Sequence, residues 1–334
     1  MNINSFVEEI FLKHAETSFE SLALTLYKYQ AEHNIIYKKY LDSLGIDCSQ
    51  AKTLEEIVFM PIELFKTHKV VTGKDYAEMV FHSSGTSPGA VKSKHYVKSL
   101  ALYRQSFIRG FELEYGKINE YIVIAVLPSY QENPNCSLIY MVDEMIKLSG
   151  DLFSGYYLHN DDKLCDVINS CSKQKKKVLV FGVSYALLDL CDSAIGDFNV
   201  ENMLVMETGG MKGRRKEILR EELHLALMKG FGVKQIHSEY SMTELLSQSY
   251  SKGGGLFSSP PWKHILIREV NDPLSYVEDG DSGGINIIDL ANVHSCAFIA
   301  TNDLGKRASD GNFEVLGRLD NSALRGCNLL VTDS

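Results

Sequence analysis

Tyr121-Ile-Val-Ile-Ala-Val-Leu127 is an unbroken apolar run, and Val178-Leu-Val-Phe-Gly-Val183 repeats its character. Both are far shorter than the roughly 20 residues that carry a helix across a bilayer, so they read as buried strands. Further strand segments are expected at 203–206 and 234–237, and helical stretches near 97–114, 137–149, 161–172 and 213–230 alternate with the four segments. Strands that alternate with helices predict an α/β sheet with helices on its faces.

Before the first of these strands the pattern is different. From Phe6 to about Leu44 apolar residues recur at three- and four-residue intervals (Phe6, Ile10, Phe11; Leu22, Leu24, Leu26, Tyr27; Ile36, Tyr37, Tyr40, Leu41). That spacing predicts a layer of amphipathic helices. Pro61 and Thr72-Gly73 punctuate the chain before Met79-Val-Phe81, a short strand that enters the small-residue loop Ser83-Ser-Gly-Thr-Ser-Pro-Gly89. From Trp262 onward Ile265-Leu-Ile267, Ile285-Asn-Ile-Ile288, Ala297-Phe-Ile299 and Phe313-Glu-Val315 are separated by Asp-Gly, Gly-Gly and Asp-Leu-Gly turns. That segment predicts a β-rich subdomain. The expected division is therefore 1–260, a helical layer with an α/β core, and 261–334, the β-rich part with a tail.

Composition narrows the function. The 334 residues carry a net charge of −9, which argues against a surface made to neutralise nucleic-acid phosphates. Met1-Asn-Ile-Asn-Ser-Phe-Val-Glu-Glu9 lacks a basic stretch followed by an apolar one, so no secretory signal and no membrane span are expected, and the expected compartment is the cytoplasm. The cysteines at 48, 136, 165, 171, 191, 296 and 327 are odd in number and scattered without a CxxC pair. Free thiols are expected rather than a disulfide framework or a zinc site.

The loop at 83–89 lets backbone N–H groups and hydroxyls approach a polyanion, with Lys92 and Lys94 just downstream. It matches neither GxGxxG nor GxxxxGK[ST], so the dinucleotide and P-loop patterns are not met. By itself such a loop is more often an ordinary turn than a nucleotide site.

Four later segments decide the matter by their order. Ser83-Ser-Gly-Thr-Ser-Pro-Gly89 resembles the Ser/Thr/Gly-rich phosphate loop of the adenylate-forming superfamily, which includes acyl-CoA synthetases and phenylacetate-CoA ligases. Thr208-Gly-Gly-Met211 resembles its adenine-flanking glycine pair, and Glu239-Tyr-Ser-Met-Thr-Glu244 its aromatic-Gly-x-Thr-Glu segment. Thr301-Asn-Asp-Leu-Gly305 resembles its Thr-Gly-Asp-Leu-Gly segment, and Gly317-Arg-Leu-Asp-Asn-Ser-Ala-Leu-Arg-Gly-Cys-Asn328 its hinge, in the form found in phenylacetate-CoA ligases. Asn34-Ile-Ile-Tyr-Lys-Lys-Tyr40 extends the likeness to the N-terminal helices. The resemblance implies the large N-terminal domain of an adenylate-forming enzyme, α/β layers plus a β-rich subdomain.

Within the superfamily the chain is most similar to the acyl-protein synthetases of bacterial luminescence (LuxE-type), which share Ser-Ser-Gly-Thr followed by Ser-Lys-His, here Ser93-Lys-His95. The chain stops six residues after Asn328, so the lysine-bearing C-terminal domain of the larger enzymes is expected to be absent. The resemblance implies ATP-dependent conversion of a fatty or other carboxylic acid to an acyl-adenylate. A cysteine near the C-terminus then accepts the acyl group and delivers it to a partner reductase. Cys327 occupies that place, where Arg325 would favour the thiolate; its other reading is a small core filler. Coenzyme A or an acyl-carrier protein as acceptor, and a non-catalytic nucleotide-binding relative, are the alternative readings.

The same resemblance assigns roles. Ser83, Ser84, Gly85 and Thr86 cradle the β- and γ-phosphates of ATP, Thr243 contacts the α-phosphate, and Glu244 helps bind Mg²⁺, a hard cation that favours carboxylate oxygens. Gly209 and Gly210 lie along the adenine and Tyr240 stacks on it. Asp303 accepts from the ribose hydroxyls, and Arg318 contacts ribose or phosphate. Each has a plain counterpart: Tyr240 as a core aromatic, Glu244 as a helix N-terminal acid, Asp303 as a turn former. Two glycines of the family pattern are replaced, by Ser241 and Asn302, and the hinge aspartate pair is Asp320-Asn321. Pro128-Ser-Tyr130, Ser137-Leu-Ile-Tyr-Met141 and Gly182-Val-Ser-Tyr185 are read as walls of an acyl pocket or as sheet–helix core.

Overall fold

Asn2, Ser18 and Asn34 each stand just before an apolar-periodic stretch, and each starts a helix by accepting from a backbone N–H three residues on, at 3.2, 3.2 and 3.0 Å. The helices are α1 (Ile3–Ile10), α2 (Phe19–His33) and α3 (Ile35–Ser43). The structure, a computed structural model, describes residues 1–12, 17–74, 76–84, 91–129, 131–158, 161–171, 176–192, 202–210, 215–216 and 218–319. A short strand β1 (Met60–Pro61) and helix α4 (Leu64–Thr67) follow.

The middle of the chain begins with the hairpin β2 (Met79–His82) and β3 (Lys94–Val97) and the long helix α5 (Leu100–Tyr115). Then strands and helices alternate: β4 (Tyr121–Val126), α6 (Ser137–Ser149), β5 (Gly155–Tyr156), α7 (Asp161–Cys171), β6 (Lys177–Val183), α8 (Ser184–Asp192), β7 (Met203–Thr208), α9 (Arg220–Phe231) and β8 (His237–Tyr240). β9 (Ser249–Ser251) and β10 (Leu256–Phe257) end this part. β11 (Lys263–Arg268), β12 (Ser282–Asp289), β13 (Phe298–Arg307) and β14 (Phe313–Arg318) complete the described chain.

Residues 78–257 form one compact unit, the α/β unit. Its sheet runs β5-β4-β6-β7-β8-β9, parallel except for β9. Every residue of β4 is buried, as is all of β6 beyond Lys177, which is why these strands are written as continuous apolar runs. The last strand departs from expectation. The strand expected at 234–237, Lys-Gln-Ile-His, has a single apolar residue, Ile236, and the strand observed starts three positions later as the polar His237-Ser-Glu-Tyr240. α8 was not foreseen as a helix, and α9 starts at Arg220, later than the predicted 213.

Residues 1–77 join the segment from Ser258 onward in a second compact unit, the helix/β unit. Its antiparallel ladder is β11-β12-β13-β14, and β1 pairs with β13 in parallel through Met60 and Ile299. The sequence predicts a single boundary at 260, whereas the structure divides the chain at 77/78 and again at 257/258. Buried contacts account for the grouping. Tyr27 and Tyr37 from the helices lie 5.5 and 6.1 Å from the ring of Phe298 on β13. The buried Gln30 donates to the carbonyls of Asn292 and Val293 and accepts from Ala297 N–H, at 2.9, 3.2 and 2.9 Å. Asn34 donates to Ser295 O at 2.9 Å. Buried amides must find such partners, and here they find them in the β-rich segment. No helix among the described residues is long and apolar enough to cross a membrane.

Candidate active site

In a parallel sheet flanked by helices, ligands meet the chain beyond the carboxyl ends of the strands. In the α/β unit the three adjacent strands β6, β7 and β8 end on Val183, Thr208 and Tyr240, with Val183 beside Thr208 and Thr208 beside Glu239. Register alone therefore brings the glycine pair Gly209-Gly210 next to Tyr240 and the turn that holds Thr243 and Glu244. Gly209 is exposed and has φ of 69°. That left-handed conformation disfavours any side chain and leaves bare backbone at the strand end.

Behind this edge lies a buried polar layer. Ser184 Oγ lies 2.8 Å from both a Glu207 carboxylate oxygen and the carbonyl of Gly209, so it ties the glycine pair to the end of β6. Thr208 Oγ1 donates to the carboxylate of Glu239. His224 on α9 sits 3.6 Å from Glu207 and 3.3 Å from Ser238 Oγ. Glu207, Glu239 and Ser184 are all at most 5% exposed; buried carboxylates persist only when they are hydrogen-bonded in this way. Glu207 carries no signal in the sequence, and Ser184 and Glu239 stand there only as members of longer segments, since their partners come from strands and helices distant in sequence.

The loop at 83–89 springs from the hairpin β2–β3. Ser83 N–H donates to Ser93 O at 3.1 Å and Ser83 Oγ accepts from Ser93 N–H at 2.9 Å, closing the base of the loop. Ser84 is exposed. His95, one strand position past the exposed Lys94, is buried against the turn after β8, with Nδ1 2.8 Å from Thr243 O. A carbonyl only accepts, so Nδ1 carries the proton. Burial pulls the imidazole down to about 4, with the bond to Thr243 opposing the shift, and the ring is neutral near pH 7. Glu244, the next residue, is 5% exposed, and Tyr240 is half-buried with its ring 5.8 Å from Phe257.

Asp303 and Arg318 belong to the helix/β unit. They stand opposite each other on β13 and β14, with Arg318 Nε 3.8 Å from Asp303 Oδ1. Arg318 is 81% exposed, so the pair adds little stability. Asp303 N–H donates to Thr301 Oγ1 at 3.1 Å. Beneath this segment the buried Arg268 donates to Thr301 O, Ile285 O and Asn286 Oδ1 at 2.6, 2.9 and 2.9 Å. Desolvation lowers its pKa, partly offset by Glu63 and by Asp303 among others. Gly284 makes room for it, because a Cβ there would meet the guanidinium carbon at 2.4 Å.

Gly85, Thr86 and Cys327 lie outside the described residues. His237 sits at the opposite end of β8 from Tyr240, against Tyr115 at 3.3 Å, and burial pulls it down to about 4. Arg215 pairs with Asp189 and Asp192. The donor set suits a nucleotide with Mg²⁺: hydroxyls and backbone N–H groups for phosphates, and one carboxylate, Glu244, for the ion. Among the described residues no three His, Cys, Asp or Glu side chains converge as a metal cage. Mg²⁺ held through one or two carboxylates and substrate phosphates needs none.

The sequence matches the model of the family described as acyl-protein synthetase, LuxE, over residues 12–334. It is 24% identical over 354 residues to the long-chain-fatty-acid–luciferin-component ligase of Aliivibrio fischeri, an alignment covering 96% of this chain and 91% of that protein. Among solved structures, 2-hydroxyisobutyryl-CoA ligase in complex with 2-HIB-AMP and CoA superposes with a TM-score of 0.61 at 12% identity, over 94% of this chain and 75% of the other. ATP-bound MatB from Rhodopseudomonas palustris gives 0.53 at 15% identity, over 73% and 49%. The chain spans about half the length of the MatB structure it matches. These superpositions show the α/β fold of adenylate-forming enzymes.

Proposed function

Since the chain belongs to the acyl-protein synthetase family, LuxE, we propose that it activates a long-chain fatty acid with ATP as an acyl-adenylate and transfers the acyl group to a protein cysteine. Within that family membership, the observation that carries the reading is the meeting of Gly209, Tyr240, Thr243 and Glu244 at the carboxyl ends of β7 and β8, with His95 joining the loop hairpin to the same turn.

In the first half-reaction a carboxylate oxygen of the acid attacks the α-phosphorus of ATP. The bond to the β-phosphate oxygen breaks and pyrophosphate leaves with the electron pair. Such a step needs positioning and charge neutralisation more than a strong base. Ser83, Ser84, Gly85 and Thr86 would hold the β- and γ-phosphates, and Thr243 the α-phosphate. Mg²⁺, when bound at Glu244, would neutralise phosphate charge. Gly209-Gly210 and Tyr240 would bracket the adenine. In the helix/β unit, Asp303 would accept from the ribose hydroxyls and Arg318 would contact ribose or phosphate. In the second half-reaction the thiolate of Cys327 attacks the acyl carbon and AMP departs. The thioester would then be passed on, with an acyl reductase or a carrier protein as the receiving partner and the cytoplasm as the setting.

Acid-dependent exchange of labelled pyrophosphate into ATP tests the first half, and labelled fatty acid retained on the denatured protein tests the second. Cys327→Ala should abolish the retained label while the exchange persists. Label found only on added coenzyme A would replace the protein acceptor with coenzyme A, and no exchange with any of a panel of fatty and aromatic acids would reduce the chain to a non-catalytic relative.

A further inference from the structure

We propose that His95 is a positioning residue of the adenylation site, its imidazole holding the carbonyl of Thr243 and thereby fixing the phosphate-loop hairpin against the Thr243-Glu244 turn. The inference rests on the reading of residues 83–86 and 243–244 as the segments that meet phosphate and Mg²⁺.

The hairpin β2–β3 is a two-stranded sheet of its own, with no ladder to the six-stranded sheet that ends in β8 and β9. Its placement relative to Thr243 therefore depends on contacts other than strand pairing. Phe81 supplies a non-directional one, 5.7 Å from both Tyr103 and Tyr140. The bond from His95 is directional and reaches across 148 residues of sequence. His95 faces Phe81 in the hairpin register, two residues beyond Ser93, whose backbone carries both bonds to Ser83. A continuous path thus runs from the base of the loop, through Ser93 and His95, to the residue preceding Glu244. Thr243 lies in the turn between β8 and β9, where no ladder serves its carbonyl, and His95 is 1% exposed. A bond in so dry a place holds its geometry better than one at the surface. The side chain must donate from the ring nitrogen nearest Cβ, a requirement that Asn meets and Gln does not.

The test compares His95→Leu, His95→Asn and His95→Gln in acid-dependent pyrophosphate exchange on the full chain. His95→Leu keeps the volume and deletes the donor. It should raise KM for MgATP about tenfold, the cost of leaving one buried carbonyl unsatisfied, with KM for the acid within about twofold. His95→Asn should return KM for MgATP close to wild type, and His95→Gln should not. If His95→Leu does not fold, the Asn and Gln variants still decide. Equal KM values for MgATP in Asn and Gln, or a His95→Leu enzyme with wild-type KM for MgATP, overturn the role of His95 while wild-type exchange leaves the adenylation reading intact. A wild-type protein without exchange overturns both.

Discussion

The two units bury their cores with different chemistry. In the α/β unit the centre is a stack of Val, Ile and Leu from β4 and β6, with aromatics on the surrounding helices. In the helix/β unit the centre is aromatic: Tyr27, Tyr37, Phe59 and Phe298 meet edge to face, tilted or stacked, and a buried guanidinium, Arg268, braces the strand that carries Asp303. A parallel sheet covered on both faces has only its strand ends free for chemistry. The buried carboxylates Glu207 and Glu239 of the α/β unit accordingly stand toward the carboxyl edge, with Ser184 and Thr208 beside them. An antiparallel sheet has no such privileged end, and in the helix/β unit the site residues are the cross-strand pair Asp303 and Arg318.

The largest expected effect tests the contrast of cores. Phe298→Ala, which deletes a fully buried ring from the aromatic cluster, should cost about 4 kcal/mol. Ile124→Val in β4, which removes one methylene from an equally buried position, should cost about 1 kcal/mol. Hydrogen exchange read at β12 and β13 for the first, and at β4 and β6 for the second, measures both. Comparable losses would end the distinction between an aromatic keystone and a distributed aliphatic core.

Next comes the contrast of roles under the adenylation reading. Glu244→Gln keeps the shape and removes the charge offered to Mg²⁺, and should lower kcat for exchange about 100-fold, near 2.7 kcal/mol. Asp303→Asn should instead raise KM for ATP about tenfold with kcat little changed, because a ribose contact is made equally in ground and transition states. Were the two variants to show the same split between kcat and KM, the division of labour between catalysis and nucleotide holding would fall.

How far the sequence discloses this arrangement depends on where each signal resides. β4, β6 and β7 are legible because two-sided burial demands unbroken apolar runs. β8 is not, since the buried Ser238 and Glu239 meet His224 and Thr208, partners supplied by other elements. α8 stayed hidden because Gly182-Val-Ser-Tyr185 serves as both strand end and helix start; Gly182 belongs there since a Cβ would sit 2.7 Å from Leu187. The glycine pair, Tyr240, Thr243, Glu244 and Asp303 are legible as spaced motifs, although their roles await the kinetic tests. Ser93-Lys-His95 is legible as a motif too, but its purpose lies in a bond to a backbone carbonyl, which leaves no mark on the identity of Thr243. Arg268 carried no signal at all, because an isolated arginine in a strand pattern reads as a surface residue until its carbonyl partners are seen.

The smallest effect concerns pH, and it again sets one unit against the other. His95 and His237 in the α/β unit and His264 in the helix/β unit are each pulled down by burial to about 4; Arg307, which donates to His264 Nε2 at 3.1 Å, adds to the shift there. In the unfolded chain each titrates near 6.5. Between about 6.5 and 4 the unfolded state therefore binds the extra protons, and stability present above pH 6.5 is lost as the pH falls through that window. One histidine contributes at most about 1.4 kcal/mol per pH unit, and His264, less completely buried than His95, contributes less. His264→Gln keeps an acceptor for Arg307 and removes the titration. Urea unfolding at pH 7 and pH 5 should show a smaller loss of stability on acidification for His264→Gln than for wild type, and a still smaller loss for His95→Asn. An unchanged pH slope in His264→Gln would mean that its ring is hydrated and protonates normally. Acid sensitivity would then belong to the α/β unit, where His95 is held against the Thr243 carbonyl and His237 against Tyr115.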